Sequence, residues 1–400
     1  MAPLVSPNKP SPSLNRRHFL QKASLASFSL TMGTANPRDC NGNASPLLNR
    51  EDPAEMRSLP DNGKPIKLFC CDLNWAFFDS PFESVVPAAP QDWAFVNPDE
   101  YFQWHKDFGV SIMFLQAFTF DGYAFYPTKL GALAPGPGGM LFPRVFDLSR
   151  KAGMPFMAYF CAGADLIMSS MRDVWVVPTS RNYNYWGYLA PESPWTDLLC
   201  ARIEEFLHLY PAEWIIFDWF VYGSLFPDEF AVQPAWFVKK PFKNIIGRDM
   251  PGNALEITPE ESLKYKRGVL ARQFYRIQEA VDKGNRGTKI AFNVPYRRPA
   301  ESLWINHPML NESDMLCAES SDAIVEWLLS IRKPHQRVMT TILGRPDDKG
   351  VCDPNTWRKW YARGCDFFAY AWGTPPDFRP NHIYAANAEI VRQAYKEIPS

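Results

Sequence analysis

The sequence predicts an α/β fold, a (β/α)8 TIM-type barrel with long βα loops. Three observations carry the expectation: eight short apolar runs recur along the chain, amphipathic stretches of helical length separate them, and no Gly-rich phosphate turn follows the first run. Alternating strands and helices imply parallel pairing through right-handed crossovers. Eight such units suit a closed barrel, whereas a doubly wound sheet would more often carry a GxGxxG turn after its first strand.

In chain order the strand-like runs are Ile66 to Asp72, Val110 to Gln116, Met154 to Cys161, Glu213 to Asp218, Thr288 to Val294, Asp314 to Glu319, Arg337 to Leu343 and Cys365 to Trp372. Helix-like segments between them include Asp99 to Phe108, Trp195 to Leu209, Ser262 to Asp282, Ala323 to Ile331, Asn355 to Arg363 and His382 to Tyr395. Several run into a glycine, as in Phe108-Gly109, Ala152-Gly153 and Arg363-Gly364, where a helix ends and an αβ turn begins. The first run continues Cys70-Cys71-Asp72-Leu73-Asn74-Trp75 without a GxGxxG, and no GxxxxGK[ST] occurs, so nucleotide chemistry lacks its usual anchors.

Ahead of the fold, Asn15-Arg16-Arg17-His18-Phe19-Leu20 leads into a weakly apolar Ser/Ala-rich run that ends in Gly33-Thr34-Ala35. Residues 1–35 therefore read as a twin-arginine signal peptide, which places the mature protein in the periplasm or outside the cell; a disordered basic tail is the alternative. The run is too short and polar to cross a bilayer. Residues 36–64, rich in Pro, Asn and Gly, read as a disordered linker, and residues 65–400 as the barrel catalytic domain.

A chain with 46% hydrophobic, 15% aromatic and 21% charged residues can bury a sizeable core. The signal holds four bases and no acid, so its removal from 42 bases and 43 acids leaves a net charge of about −5. With no long Lys/Arg run, neither nucleic acid nor, after signal removal, a membrane surface is expected as partner. Cys70, Cys71, Cys161, Cys317 and Cys365 fall within or beside apolar strand-like runs and read as buried free thiols rather than disulfides. No CxxC pair occurs, so no structural zinc is expected.

In a barrel the chemistry sits at the C-terminal ends of the strands and in the loops that follow. The polar residues there are Asp72 and Asn74, Asp121, Asp165, Asp218, Asn293, Glu319 and Arg345, with Trp372 ending the last strand. Carboxylates dominate, and no HxH, HxxxH or HExxH is present, which removes the usual ligand pattern of metal-dependent barrel hydrolases. Lys289 begins a strand rather than ending one, so Schiff-base chemistry lacks its lysine. Glycosidic hydrolysis needs only two carboxyl groups. No cofactor or metal is implied.

Asp218 closes the wholly apolar strand Trp214-Ile215-Ile216-Phe217. Burying an unpaired carboxylate costs several kcal/mol, so an acid in that position has a task or a strong partner. The alternative is a structural Asp capping a turn or paired with an Arg. Glu319 is the candidate general acid/base, its alternative being the lead-in to a helix capped by Ser321 or Asp322. Asp72, Asn74, Asp121, Tyr159, Trp219, Asn293, Arg345 and Trp372 are candidates for binding hydroxyls or stacking on a sugar ring. The loops Ala162 to Pro194 and Trp219 to Glu261 are the longest; their aromatics, including Trp175, Tyr183, Tyr185, Trp186, Tyr188, Phe220, Tyr222 and Trp236, would rim the mouth or form satellite cores.

Three segments add a resemblance. Phe118-Thr119-Phe120-Asp121-Gly122-Tyr123 with Tyr126-Pro127-Thr128 is similar to K-H-H-D-G-F-x-x-W/F-x-S/T, Gly153 to Phe160 to G-L-K-F-G-L-Y-Y, and Ile203 to Asp218 to an E-L-rich helix followed by W-F-D-G. Together they resemble the α-L-fucosidase family of retaining glycoside hydrolases over the first half of the barrel. The resemblance implies a (β/α)8-like catalytic barrel and a nucleophile at Asp218. Thr119-Phe120 stands where that family has its sugar-holding His-His pair, and Trp219 stands where it has Gly. The expected function is an exported retaining glycosidase acting on a carbohydrate, with Asp218 attacking and Glu319 as acid/base, their carboxyl groups ~5 Å apart. The replaced His pair motivates the rival, a non-catalytic carbohydrate-binding or surface protein on a degenerate barrel.

Overall fold

In the computed structural model the eight apolar runs form one parallel sheet. The structure describes residues 64–399 except 79–83, 90, 178–187, 223–235, 254–255, 295–303, 305, 319–321, 344–353, 375 and 381. The expected signal, and the linker apart from Lys64, lie outside the described residues.

The barrel strands are β1 Lys67–Cys71, β2 Met113–Gln116, β3 Phe156–Cys161, β4 Trp214–Asp218, β5 Lys289–Val294, β6 Met315–Ala318, β7 Arg337–Leu343 and β8 Asp366–Ala371. Each pairs in parallel with its sequence neighbour from β2 through β8, and β8 pairs with β1. Only β1 and β2 lack a ladder. Ser111, just ahead of β2, bridges them: its N–H donates to Lys67 O at 2.8 Å, and its Oγ accepts from Lys67 N–H at 2.8 Å. This is why the predicted strand at Val110 begins three residues late. The barrel is nearly closed.

The strands are apolar on both faces because both are covered, as parallel sheets require. Leu68, Cys70, Phe114, Met157, Tyr159, Ile216, Ala291, Cys317 and Met339 fill the interior, while Phe69, Leu115, Phe160, Phe217, Phe292 and Phe367 face the surrounding helices. The period of two along each strand decides which residues reach the lumen.

Ten helices clothe the barrel among the described residues: α1 Pro98–Phe108, α2 Leu141–Lys151, α3 Leu166–Met171, α4 Trp195–Leu209, α5 Trp236–Ile246, α6 Pro259–Gly284, α7 Pro308–Glu312, α8 Asp322–Ile331, α9 Pro354–Ala362 and α10 His382–Glu397. Their ends follow local chemistry. Asn97 caps α1 by accepting from the N–H groups of Asp99 and Glu100, with Pro98 at the first position, and Gly109 closes it at φ +94°. Thr258 and Glu261 form a reciprocal capping box at the start of α6. Helix α5 lies inside the segment Trp219 to Glu261 that the sequence presents as a loop. Pro241 sits in its interior, which disguises it, yet Phe237, Val238, Pro241 and Phe242 give it a buried helical face.

The bottom of the barrel is tied by buried charge. Asp366 accepts from Arg337 Nε and Nη2, both at 2.6 Å, and from Ile66 N–H at 2.7 Å. Lys67 donates its ammonium to the carbonyls of Tyr395 and Ile398, both at 2.9 Å, which fastens the end of α10 to β1. Cys70, Cys71, Cys161, Cys200, Cys317 and Cys365 are all buried and outside any disulfide among the described residues, as expected of the five named from the sequence.

Candidate active site

At the C-terminal ends of the strands the lumen opens into a cavity. Five of the sequence-nominated residues meet in its wall: Asp72, Asn74, Tyr159, Asp218 and Asn293. Strand parity explains the convergence, since Tyr159, Asp218 and Asn293 share the inward phase of Met157, Ile216 and Ala291.

Asp218 is held by three donors. Its Oδ2 accepts the Tyr159 hydroxyl at 3.0 Å; its Oδ1 accepts Asn293 Nδ2 at 3.0 Å and its neighbour Trp219 N–H at 2.7 Å. Burial raises its pKa above the ordinary carboxylate value, and the three hydrogen bonds oppose that rise. No ion pair is found for Asp218 among the described residues, which removes the Arg-paired alternative there.

Asp72 follows β1 and lines the same cavity. Its Oδ1 accepts Asn74 N–H at 3.0 Å and Gln116 Nε2 at 3.3 Å. Burial, reinforced by the Asp218 charge, lifts its pKa to about 7 against these hydrogen bonds. Asn74 joins the two acids: its Nδ2 donates to the Tyr159 hydroxyl at 3.3 Å, and that hydroxyl donates to Asp218. Asn74 Oδ1 accepts Phe120 N–H at 2.9 Å, which fixes the amide.

The other nominated residues sit elsewhere. Asp121 is buried outside the cavity wall, where its Oδ1 accepts from Thr119 Oγ1 and, at 3.3 Å, from Tyr123 N–H. Its task in the structure is to hold the turn after β2, and burial raises its pKa to about 7. Trp372 packs partly buried against the outer core rather than lining the cavity. Glu319 and Arg345 lie outside the described residues. Asp165 caps α3 and forms a buried ion pair with Arg202 Nη1 at 2.8 Å, so it serves the scaffold.

Trp219 does not line the cavity. Its ring stacks on Phe120 at 5.8 Å and 11°, Phe120 stacks on Trp75 at 5.0 Å, and Tyr188 tilts against Trp219 at 5.7 Å. The backbone of Trp219 adopts φ +56°, a left-handed conformation that suits the Gly of the resembled motif. Of the loop aromatics expected at the mouth, Phe220 packs on Phe292 and Trp304 in the outer core, and Tyr222 donates its hydroxyl to Glu192 at 2.8 Å. Trp175 is partly buried against the outer core and Trp236 is exposed; Tyr183, Tyr185 and Trp186 lie outside the described residues.

Gln116, Thr341, Phe368 and Tyr370 also line the cavity and were not singled out from the sequence. The available signal was parity: Gln116 ends β2 in phase with Phe114, and Tyr370 shares the phase of Phe368. Among the described residues no cluster of three His, Cys, Asp or Glu is arranged to hold a metal ion, and no helix is long and apolar enough to cross a membrane.

No protein-family model matches the chain, and no curated protein matches it in sequence. Among solved structures, the barrel is similar to α-L-fucosidase isoenzyme 2 from Paenibacillus thiaminolyticus, with a TM-score of 0.57 and 16% identity over 84% of this chain and 49% of that one. The chain thus spans about half the length of that protein. Lower scores link it to unliganded α-L-fucosidase AlfC from Lactobacillus casei (TM-score 0.44, 13% identity, 78% of this chain and 82% of that one). A bacterial fucosidase bound to a monovalent iminocyclitol inhibitor scores 0.45 at 13% identity, covering 77% of this chain and 62% of that one. The fold implied by the fucosidase-like motifs is the fold observed.

Proposed function

We propose that the chain is a retaining glycoside hydrolase with Asp218 as its nucleophile. The observation that carries this reading is the placement of Asp218 in the cavity wall, gripped by Tyr159, Asn293 and the Trp219 N–H. Three donors keep the carboxylate oriented and favour its anion against the burial that raises its pKa, which a nucleophile at an anomeric carbon needs. The fucosidase-like barrel supports the same reaction class, and the Arg16-Arg17 segment supports export to the periplasm or beyond.

In this mechanism Asp218 attacks the anomeric carbon as the glycosidic C–O bond breaks, giving a glycosyl ester that water hydrolyses with net retention. A second carboxyl group protonates the leaving oxygen and then deprotonates the water; strand position in the sequence nominates Glu319. Asn74, Asn293 and Gln116 supply amides for sugar hydroxyls, and Tyr370 and Phe368 supply apolar faces.

One observation favours the non-catalytic alternative. Thr119 and Phe120, in the places of the family's sugar-holding histidines, are turned to structural work: Thr119 bonds Asp121, and Phe120 is buried between Trp75 and Trp219. The test is a panel of 4-nitrophenyl glycosides, α-L-fucoside included, with the parent and Asp218→Asn, and product stereochemistry followed by NMR. Turnover with retention that falls by orders of magnitude in the variant supports the proposal. Unchanged turnover contradicts it, and sugar binding without turnover in both proteins supports the alternative.

A further inference from the structure

We infer that Asp72, rather than Glu319, is the acid/base partner of Asp218. The inference rests on the reading of Asp218 as nucleophile, and its case is geometric. Asp72 and Asp218 line one cavity from β1 and β4, linked by the chain Asn74 Nδ2, Tyr159 hydroxyl, Asp218 Oδ2. Among the described residues no Lys, Arg or His lines that cavity. Two carboxylates sharing such a site cannot both ionise cheaply, so one keeps a proton.

The hydrogen bonds decide which. Asp218 receives three donors spread over both oxygens, an arrangement that favours the anion. Those on Asp72 are longer on the whole, Asn74 N–H at 3.0 Å and Gln116 Nε2 at 3.3 Å, both on Oδ1, with a further contribution from the Asn74 side chain, which assigns the proton to Oδ2. The groups around Asp72 reinforce this. Asp218 and Tyr159 act on it from β4 and β3, Tyr370 and Cys317 line the same cavity from β8 and β6, Cys70 and Cys71 precede it on β1, and Tyr101 on α1 and Asp377 lie near that strand. None brings positive charge. The rise of the Asp72 pKa to about 7 has the same direction.

The step balances. As Asp218 attacks, the glycosidic bond's electrons pass to the leaving oxygen, which takes the proton from Asp72 Oδ2 and departs as an alcohol. Water then attacks the anomeric carbon, Asp72 takes one of its protons, and the ester electrons return to Asp218. Asp72 ends protonated, as it began.

Two measurements test this on the full chain. Infrared difference spectroscopy near neutral pH compares the parent with Asp72→Asn; loss of one protonated-carboxyl C=O band in the variant is expected, and an unchanged band overturns the inference whether or not a substrate is known. On any aryl glycoside that the parent hydrolyses, D72N should lose about 10²- to 10⁴-fold with a 4-nitrophenyl leaving group. It should lose far less with 2,4-dinitrophenyl, which needs no proton, and azide should restore turnover of D72A as a glycosyl azide. Leaving-group sensitivity and azide rescue in E319Q or E319A instead would overturn the assignment to Asp72 and leave Asp218 in place. Full activity in D218N would instead remove the nucleophile, a separate failure.

Discussion

The Tyr159 hydroxyl, from the middle of one barrel strand, donates to Oδ2 of Asp218 at the end of the next at 3.0 Å, and its own oxygen accepts from Asn74 Nδ2 at 3.3 Å. A single phenol thereby links Asn74, after β1, to Asp218, at the end of β4. Burial pushes the phenol's own pKa far up, so it stays a donor throughout the useful pH range.

Tyr159→Phe removes one of the three donors that lower the Asp218 pKa. A hydrogen bond to a charged group is worth ~1.5–3 kcal/mol, so kcat/KM should fall about 10- to 100-fold. Without that donor the Asp218 pKa rises further, and the acidic limb of the pH profile should move to higher pH. A profile that keeps its acidic limb would show that Tyr159 does not tune Asp218.

Trp219 gives a prediction free of catalysis. Its carbonyl lies so close to Gly163 that no side chain fits there, and its φ is +56°. Ala is ordinarily the more stable replacement, but here Gly accepts the left-handed backbone and Ala does not. W219G should therefore be more stable than W219A by about 1 kcal/mol in urea unfolding, both having lost the stack on Phe120. The opposite order would mean that the backbone relaxes once the ring is gone.

The pH dependence of stability has a definite sign at Asp72. Its folded pKa of about 7 lies above the ordinary 3.8, so its contribution is full below pH 3.8 and is lost as pH rises through about 7. D72N removes that loss while keeping an acceptor at Oδ1. The variant should gain stability on the parent between those limits, by at most on the order of 4 kcal/mol, and hold the gain at higher pH. Unfolding free energies measured across that window check it, and a constant difference would contradict it.

The buried pair Arg202–Asp165 sits behind the site, both side chains 2% exposed, with the guanidinium 4.3 Å over the Phe118 ring. Asp165→Asn leaves the cation uncompensated and should cost ~3–5 kcal/mol. Arg202→Met alone should cost a similar amount, and the double variant less than the sum, which a double-mutant cycle in urea would read.

Much of this arrangement is legible in the amino-acid sequence. The eight strands appear within a few residues of their apolar runs, helix Trp195–Leu209 has the limits its pattern set, and Gly109, Gly153 and Gly364 take the positive φ that ends a helix. Asp218, Asn293, Tyr159, Asp72 and Asn74 converge because residue type and strand end together place them. What was not legible depends on long-range context. Asp121 reads as a strand-end acid, but its neighbours Thr119 and Tyr123 claim it locally. Gln116 and Tyr370 reach the lumen through a parity fixed only when the sheet closes. The left-handed turn at Trp219 is visible as a missing Gly, while the stack beside it, Phe120 and Trp75, comes from other parts of the chain.

The most direct test of the nucleophile is a covalent label. A 2-deoxy-2-fluoro glycoside with a 2,4-dinitrophenyl leaving group, built on a sugar the parent hydrolyses, should stall at the glycosyl ester, and peptide mass spectrometry should place one fluorosugar on Asp218. Labelling of a different carboxylate, or equal labelling of D218N, would contradict the account.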